Sequence, residues 1–159
     1  ILAYKINPDV CVSCGVCQEN CPVGCIKEAE GIYFKVVDSD DWVGEEALKN
    51  LLDALEEMRR SGSCADLVVT NYLYDHGENG KRKLIAYRST VPAGRIITWD
   101  EVGRFHPGSY FLMHAITYRT ELVKNSGLTL PEHTFYVDNI YAYLPMAQVK
   151  TLYYLDVDV

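Results

Sequence analysis

Four cysteines near the start of the chain have the residue type and the spacing of a metal-cluster site. They are Cys11, Cys14, Cys17 and Cys21, and Pro22 follows the last of them. Thiolates are soft ligands, and a C-x2-C-x2-C-x3-C-P run has the spacing of an iron–sulfur site. Zinc is the weaker alternative, because structural zinc sites usually take cysteine pairs from separated elements. The run therefore predicts a [4Fe–4S] cluster.

A second group with chemical potential is the acidic stretch "VVDSDDW". Asp38, Asp40 and Asp41 follow an apolar run that predicts a buried strand. Ligands of open α/β sheets bind where strands end, and carboxylates are the hard oxygen ligands that Mg²⁺ or Mn²⁺ prefers. The alternative is a helix cap, because aspartate favours the first turn of a helix. Residue types alone leave both interpretations open, with Asp38 and Asp40 as the candidate metal ligands.

The elements that would position these groups alternate between the two kinds of periodicity. Apolar, β-branched and aromatic runs predict strands, and spacing at three and four residues predicts helices. The predicted strands span residues 3–6, 31–37, 66–75, 81–89, 111–118 and 149–159. The predicted helices span residues 42–62, a short segment after a Thr98–Glu101 capping box, 119–127 and 135–144. The strand pair at 66–89 predicts a hairpin.

The segment 42–62 carries the clearest helical signal. Acidic residues open it, Arg59 and Arg60 close it, and Gly62 is suited to end it. Its apolar positions recur at helical spacing and predict one buried face: Val43, Ala47, Leu48, Leu51, Leu52, Leu55 and Met58. The order of elements predicts an α/β fold with a mixed sheet and flanking helices.

Composition narrows the classes of partner. The formal net charge is -7 over 159 residues, and no basic stripe favours nucleic-acid binding. No apolar stretch reaches the roughly 20 residues of a membrane helix, and the start lacks the pattern of a secretion signal. We therefore expect a cytoplasmic protein without a transmembrane segment or a nucleic-acid partner.

The cysteine segment resembles a known family. "AYKINPDVCVSCGVCQENCPVGCI" is similar to the first half of a bacterial two-cluster ferredoxin, which defines a predicted unit over residues 1–31. In such ferredoxins the fourth cysteine of each run binds the other cluster, and this chain has one run. Cys21, Cys25 or Cys64 remain open as the fourth ligand. The resemblance implies a small electron-transfer protein.

The remainder, residues 32–159, resembles a family 2 glycosyltransferase of the GT-A fold. The resemblance rests on "VVDSDDWV", the long helix after it, and "MHAITYRTELVKNSGLTLPEHTFYVDNIYAYLPMAQVKTLYYLDVDV". It implies a metal-dependent, inverting transfer of sugar from a nucleotide-diphosphate donor to a saccharide or lipid-linked acceptor. By this resemblance Asp38 and Asp40 bind the Mg²⁺ or Mn²⁺, and Asp138 in "YVDNIY" is the catalytic base. The part of the family that binds the nucleotide base has no counterpart before Gly31, so the domain is expected to be truncated.

Several candidate residues also have purely structural interpretations. Residue type alone favours Asp138 as the N-cap of the following helix, and the resemblance favours catalysis. His106, His114 and His133 show no metal-type spacing and are predicted to be ordinary structural residues. The tyrosines between 136 and 154 are predicted to pack in the core. Sugar transfer is the main predicted function, and iron–sulfur electron transfer is the alternative.

Overall fold

The computed structural model describes residues 31–38, 41–75, 82–131 and 135–159. The strands in these ranges are β1 (Tyr33–Phe34), β2 (Leu67–Asp75), β3 (Arg82–Ile85), β4 (Ile96–Thr98), β5 (Ile116–Arg119) and β6 (Thr151–Asp158). The α-helices are α1 (Glu45–Ser61), α2 (Thr120–Asn125) and α3 (Val137–Tyr143). Short 3-10 helices cover Trp99–Glu101, Met113–Ala115 and Pro145–Gln148.

The strands form a mixed sheet in the order β1-β5-β2-β6-β4, and β3 pairs with β2. The central pair β2 and β6 is parallel, with Leu67 opposite Leu152, and the other pairs are antiparallel. The predicted α/β class with a mixed sheet is therefore confirmed. The hairpin is also confirmed, because the second half of β2 pairs with β3 from Tyr72–Ile85 to Asp75–Arg82.

Helix α1 follows from its sequence. Glu45 and Glu46 lie in its first turn and Arg59 and Arg60 in its last, so the charges complement the helix dipole. Gly62 adopts a φ of 70°, the left-handed conformation that glycine accepts most easily. Its N–H donates to the carbonyl of Arg59 and ends the helix.

The core lies on both faces of the sheet, because neighbouring residues of β2 point in opposite directions. Val68 packs on the α1 side with Leu51, Met58 and Ala65. Leu67 and Val69 point to the opposite face, where the larger cluster lies. That cluster includes aromatic and aliphatic side chains from the loops, from β5, from β6 and from α3: Tyr87, Phe111, Met113, Ile116, Tyr118, Tyr141 and Tyr154.

Some predicted elements are shorter than the sequence pattern indicates. The strand predicted over residues 31–37 is a two-residue strand, and Val37 is 45% exposed rather than buried. The strand predicted over 111–118 begins at Ile116, because residues 113–115 form a 3-10 turn closed by a bond from the Ala115 N–H to the Leu112 carbonyl. Strand 3–6 lies outside the described residues.

Three local predictions are wrong in detail. Thr98 makes no capping hydrogen bond, and its hydroxyl contacts Asp100 while Glu101 pairs with Arg95. Leu52 belongs to the predicted apolar face of α1 but is 54% exposed. Tyr136, predicted to pack in the core, is also exposed, whereas Tyr141 and Tyr154 are buried as predicted.

None of the helices in the described ranges has the length and hydropathy of a membrane-spanning segment.

Candidate functional site

A cleft of about 410 Å³ opens at the edge of the sheet where β2 and β6 end. Its walls are the connection after β1, the end of β2, the turn at Met113–Ala115 and the last residues of the chain. Parallel strands present their carboxyl ends at one edge, and that edge is where ligands bind in open α/β sheets. The volume lies in the range of small-molecule sites.

An aspartate–histidine pair forms one wall of this cleft. The Nδ1 atom of His114 lies 3.0 Å from the Oδ2 atom of Asp41, with 32% and 41% of the two side chains exposed. The ring of Tyr72 packs against the imidazole at a centroid distance of 5.4 Å. The carboxylate and the phenol ring together fix the imidazole, and within the part of the chain that the structure describes no side chain is bonded to its Nε2 atom.

Lys35 stabilises the turn that carries this histidine. Its ammonium group donates a hydrogen bond to the carbonyl of His114 at 2.6 Å and contacts the carbonyl of Ile116 at 3.5 Å. Burial lowers the pKa of Lys35 to about 8, and the nearby carboxylate of Asp41 partly opposes that shift. A buried amine with a shifted pKa at a cleft is a common property of functional sites.

A polar network around the buried Asn71 supports the carboxyl end of β6. The register between β2 and β6 shifts at Thr70 and Asn71, and the Asn71 amide donates to Asp156 at 2.7 Å and to Asp158 at 2.9 Å. The Tyr154 hydroxyl donates to the side-chain amide oxygen of Asn71 at 2.6 Å. The hydrogen bond from Asn71 lowers the pKa of Asp156. The network therefore fixes the end of β6, where Asp158 lines the cleft.

The predicted metal ligands are only partly described. Asp38 is exposed after β1, and its carbonyl accepts a hydrogen bond from the Asp41 N–H at 3.2 Å. Asp40 lies outside the described residues. Within the described residues no three histidine, cysteine, aspartate or glutamate side chains are placed to hold a metal ion. The described donors do not form a divalent metal site, and the assignment of Asp38 and Asp40 stays a prediction.

Asp138 lies on a different part of the fold. It is the second residue of α3, it is half-buried, and it does not line the cleft. The N-cap position belongs to Tyr136, so the interpretation of Asp138 as a helix N-cap is wrong. The carboxylate still lies in the first turn, where it favours the helix dipole. Its catalytic role stays a prediction.

The sequence did not single out the residues that meet at the cleft. His114 was grouped with the scattered histidines, and His133 lies outside the described residues, while His106 is exposed. Asp41 belongs to the predicted acidic stretch, in which only Asp38 and Asp40 are the candidate metal ligands. A signal existed for Lys35, because a lysine inside the apolar run "YFKVV" is unusual for a strand that faces a core.

The cysteine run Cys11, Cys14, Cys17 and Cys21 lies outside the described residues, as does Cys25. Cys64 is described and is half-buried after α1. Its thiol lies 3.8 Å from the carbonyl of Met58, and it also contacts the Tyr33 hydroxyl. Its role as a fourth cluster ligand stays a prediction.

Comparison with known proteins finds similarity over the cysteine segment. Residues 4–27 match the family described as the 4Fe-4S binding domain. Ferredoxin-1 of Caulobacter vibrioides is 50% identical over 36 residues, which cover 20% of this chain and 32% of that protein. Ferredoxin-1 of Rhodobacter capsulatus is 41% identical over 39 residues, covering 24% and 57%. A ferredoxin of a Clostridium species is 45% identical over 38 residues, covering 24% and 64%.

These matches have a limited extent. The chain spans between a third and two thirds of the length of these relatives. The ferredoxin resemblance of the cysteine segment is therefore confirmed over a short stretch. No solved structure matches the chain. The comparisons give no support to the glycosyltransferase resemblance, and the GT-A fold and the domain boundary near residue 31 stay predictions.

Proposed function

We propose that the chain binds a [4Fe–4S] cluster through its cysteine run and carries electrons. The observation that supports this most strongly is the coincidence of the C-x2-C-x2-C-x3-C-P run with the segment that matches the 4Fe-4S binding domain. The donor set fits the cluster chemically, because thiolates are its usual ligands. A bound cluster would supply one-electron transfer.

The cysteines would have distinct tasks. Cys11, Cys14 and Cys17 hold three corners of the cluster. In two-cluster ferredoxins the cysteine that corresponds to Cys21 binds the other cluster, so Cys21 supplies the fourth corner here only if its loop is rearranged. Cys25 and Cys64 are the other candidates for that corner. Because the second run is absent, we expect a cluster that forms incompletely or is lost readily.

Anaerobic reconstitution with iron and sulfide tests this proposal. We expect visible absorption of a cluster with iron and sulfide below the full complement per chain. Cys14→Ser should reduce bound iron to background, because it removes a thiolate from the centre of the run. Cys64→Ser tests the alternative ligand: an unchanged iron content would exclude Cys64 as the fourth ligand, and a loss would assign that corner to Cys64. A colourless wild-type protein without bound iron and sulfide would refute cluster binding.

We infer a second candidate function, sugar transfer from a nucleotide-diphosphate donor to an acceptor hydroxyl, at the cleft. Its support is the position of that cleft at the carboxyl ends of β2 and β6, where Val37 and Asp41 from the connection after β1 line it. In this proposal the two aspartates bind Mg²⁺ or Mn²⁺, and Asp138 is the first candidate for the base. The acceptor is a saccharide or a lipid-linked saccharide.

Calorimetry with Mn²⁺ and with UDP-glucose tests this second function. We expect weak Mn²⁺ binding that the double change Asp38→Asn and Asp40→Asn abolishes. Asp53→Asn on the exposed side of α1 is the control for loss of a surface carboxylate. Nucleotide sugar should bind weakly, because residues 1–31 contain no counterpart of the base-binding part that the family resemblance implies. Undiminished Mn²⁺ binding in the double variant would exclude the acidic stretch as the metal site.

A further inference from the structure

The cleft contains a candidate proton acceptor that the sequence pattern does not single out. Asp138, the base implied by resemblance, lies on α3 and does not line the cleft. His114 lines it, and its Nδ1 atom lies 3.0 Å from a carboxylate oxygen of Asp41. We propose that His114 and Asp41 form a proton-accepting pair on the wall of the cleft, which takes the proton of an acceptor hydroxyl.

The first support is the short contact between the imidazole and the Asp41 carboxylate. A neutral histidine has one N–H donor and one free nitrogen acceptor, and its partner decides which nitrogen carries the proton. A carboxylate accepts only, so the Nδ1 atom facing Asp41 carries the hydrogen. The Nε2 atom then has a free lone pair. A third of the His114 side chain is exposed, and the residue lines the cleft.

The second support is the fixed position of the residue. Lys35 holds the carbonyl of His114 from one side, and the Tyr72 ring packs against the imidazole from another. Burial raises the pKa of Tyr72, so its hydroxyl stays neutral and does not compete as a charge. The Nε2 atom is therefore held by β2, by the Met113–Ala115 turn and by the connection after β1. A base acts best when its geometry is fixed before the ligand arrives.

This inference rests on the second proposed function, and its chemical step is as follows. The acceptor oxygen forms a bond to the anomeric carbon while its O–H bond breaks, and the proton passes to Nε2 of His114. The bond from the anomeric carbon to the diphosphate oxygen breaks, and its electron pair leaves with the diphosphate. The resulting imidazolium is paired with the Asp41 carboxylate. His114 is then the catalytic residue, and Asp41 is a positioning residue that acts through it.

The first experiment measures the tautomer of His114 in the full chain by nitrogen NMR with labelled histidine. We expect a proton on Nδ1 and none on Nε2, and His114→Gln assigns the signal. Asp41→Asn should shift the population toward the other tautomer, and Asp41→Glu should restore it in part. A wild-type His114 that carries its proton on Nε2 would overturn the inference, since Nδ1 could not then donate to Asp41.

The second experiment measures the release of UDP from UDP-glucose at high concentration, with water as the acceptor. His114→Gln should lower kcat by roughly 10²- to 10⁴-fold, the range for loss of a positioned base, with KM nearly unchanged. Asp41→Asn should lower kcat by a smaller factor. His106→Gln, which replaces an exposed histidine outside the cleft, is the control and should keep the wild-type kcat.

The outcomes separate the inference from the function on which it rests. Full kcat in His114→Gln with a large loss in Asp138→Asn would overturn the inference and keep the transferase function. No UDP release by the wild-type chain would contradict transfer by this chain and the proton transfer proposed with it. The tautomer measurement would then show whether the pair exists as a structural feature alone.

Discussion

The cysteine run and the cleft gather their chemistry in opposite ways. The run takes its thiols from one short stretch between Cys11 and Cys21. The cleft combines Lys35 and Asp41 from one connection with His114 and the end of β6, which lie far along the chain. A site whose residues are close in sequence can be recognised from a short match to known proteins. A site assembled from distant residues depends on the packing of the whole sheet. Damage to the core should therefore affect the cleft more than the run.

The largest expected effect tests this dependence through α1. Leu51 is 2% exposed and packs against Met58 and Val68, whereas its neighbour Leu52 is 54% exposed. Leu51→Ala should lower the free energy of unfolding by about 2 to 5 kcal/mol through lost burial and a residual cavity. Leu52→Ala, the matched control, should cost less than about 1 kcal/mol. Urea unfolding measured by circular dichroism distinguishes the two variants.

The same pair of variants can break the comparison. The visible absorption of the reconstituted cluster should be equal in Leu51→Ala and Leu52→Ala, because the proposed ligands belong to the cysteine run. Loss of the cluster signal in Leu51→Ala alone would mean that cluster binding needs the packed α/β part. Cys64, which follows α1 and contacts Tyr33, would then become the first candidate for the missing ligand.

Much of the fold could be predicted because its signals are local. The period of α1, its charged ends and Gly62 all indicate the same helix, and α2 likewise ends before Gly127, which has a φ of 71°. The apolar run of β6 was equally clear. The strand at 111–118 was predicted too long, because apolar content does not distinguish a strand from the buried 3-10 turn at Met113–Ala115.

The cleft could not be predicted in the same way. Asp41 and His114 meet because β1 and β5 are antiparallel neighbours, with Tyr33 opposite Arg119, which brings the end of one strand beside the start of the other. Strand pairing is long-range information that the spacing of residues does not carry. Leu52 shows the complementary limit, since helical periodicity gives the direction of an apolar face but not the width that the sheet covers.

A smaller effect concerns the buried amine at the cleft. The pKa of Lys35 is lowered from 10.5 to about 8, mainly by burial. Between these two pH values the unfolded chain binds more protons than the folded one, so stability rises with pH across that window. The wild-type protein should therefore gain about 2 kcal/mol relative to Lys35→Met between pH 7 and about pH 10.

This measurement needs an upper limit and a control. Burial raises the pKa of Tyr118 and Tyr141, so their ionisation destabilises the fold above about pH 10, and the urea titrations should stop there. Lys83→Met on the exposed face of β3 is the control, and its stability should follow the wild-type pH dependence. If the free energies of unfolding of wild type and Lys35→Met change in parallel with pH, burial does not lower the pKa of Lys35. The cleft is then more open to water than its geometry indicates.

The smallest effect concerns the start of α3, the helix that carries the predicted base Asp138. Tyr136 has a φ of 63°, its side chain is exposed, and it makes no capping hydrogen bond. A left-handed conformation costs a residue with a side chain about 1 kcal/mol, and glycine avoids that cost. Tyr136→Gly should therefore be more stable by about 1 kcal/mol than Phe135→Gly, which removes an equally exposed ring without a positive φ. Thermal unfolding of both variants gives the difference.

If Tyr136→Gly also leaves the His114 tautomer unchanged, the backbone strain at the start of α3 and the cleft are separate features. Any action of Asp138 then takes place outside the cleft. A change in that tautomer would instead show that the conformation at the start of α3 is coupled to the cleft, and the two could not be treated as independent sites.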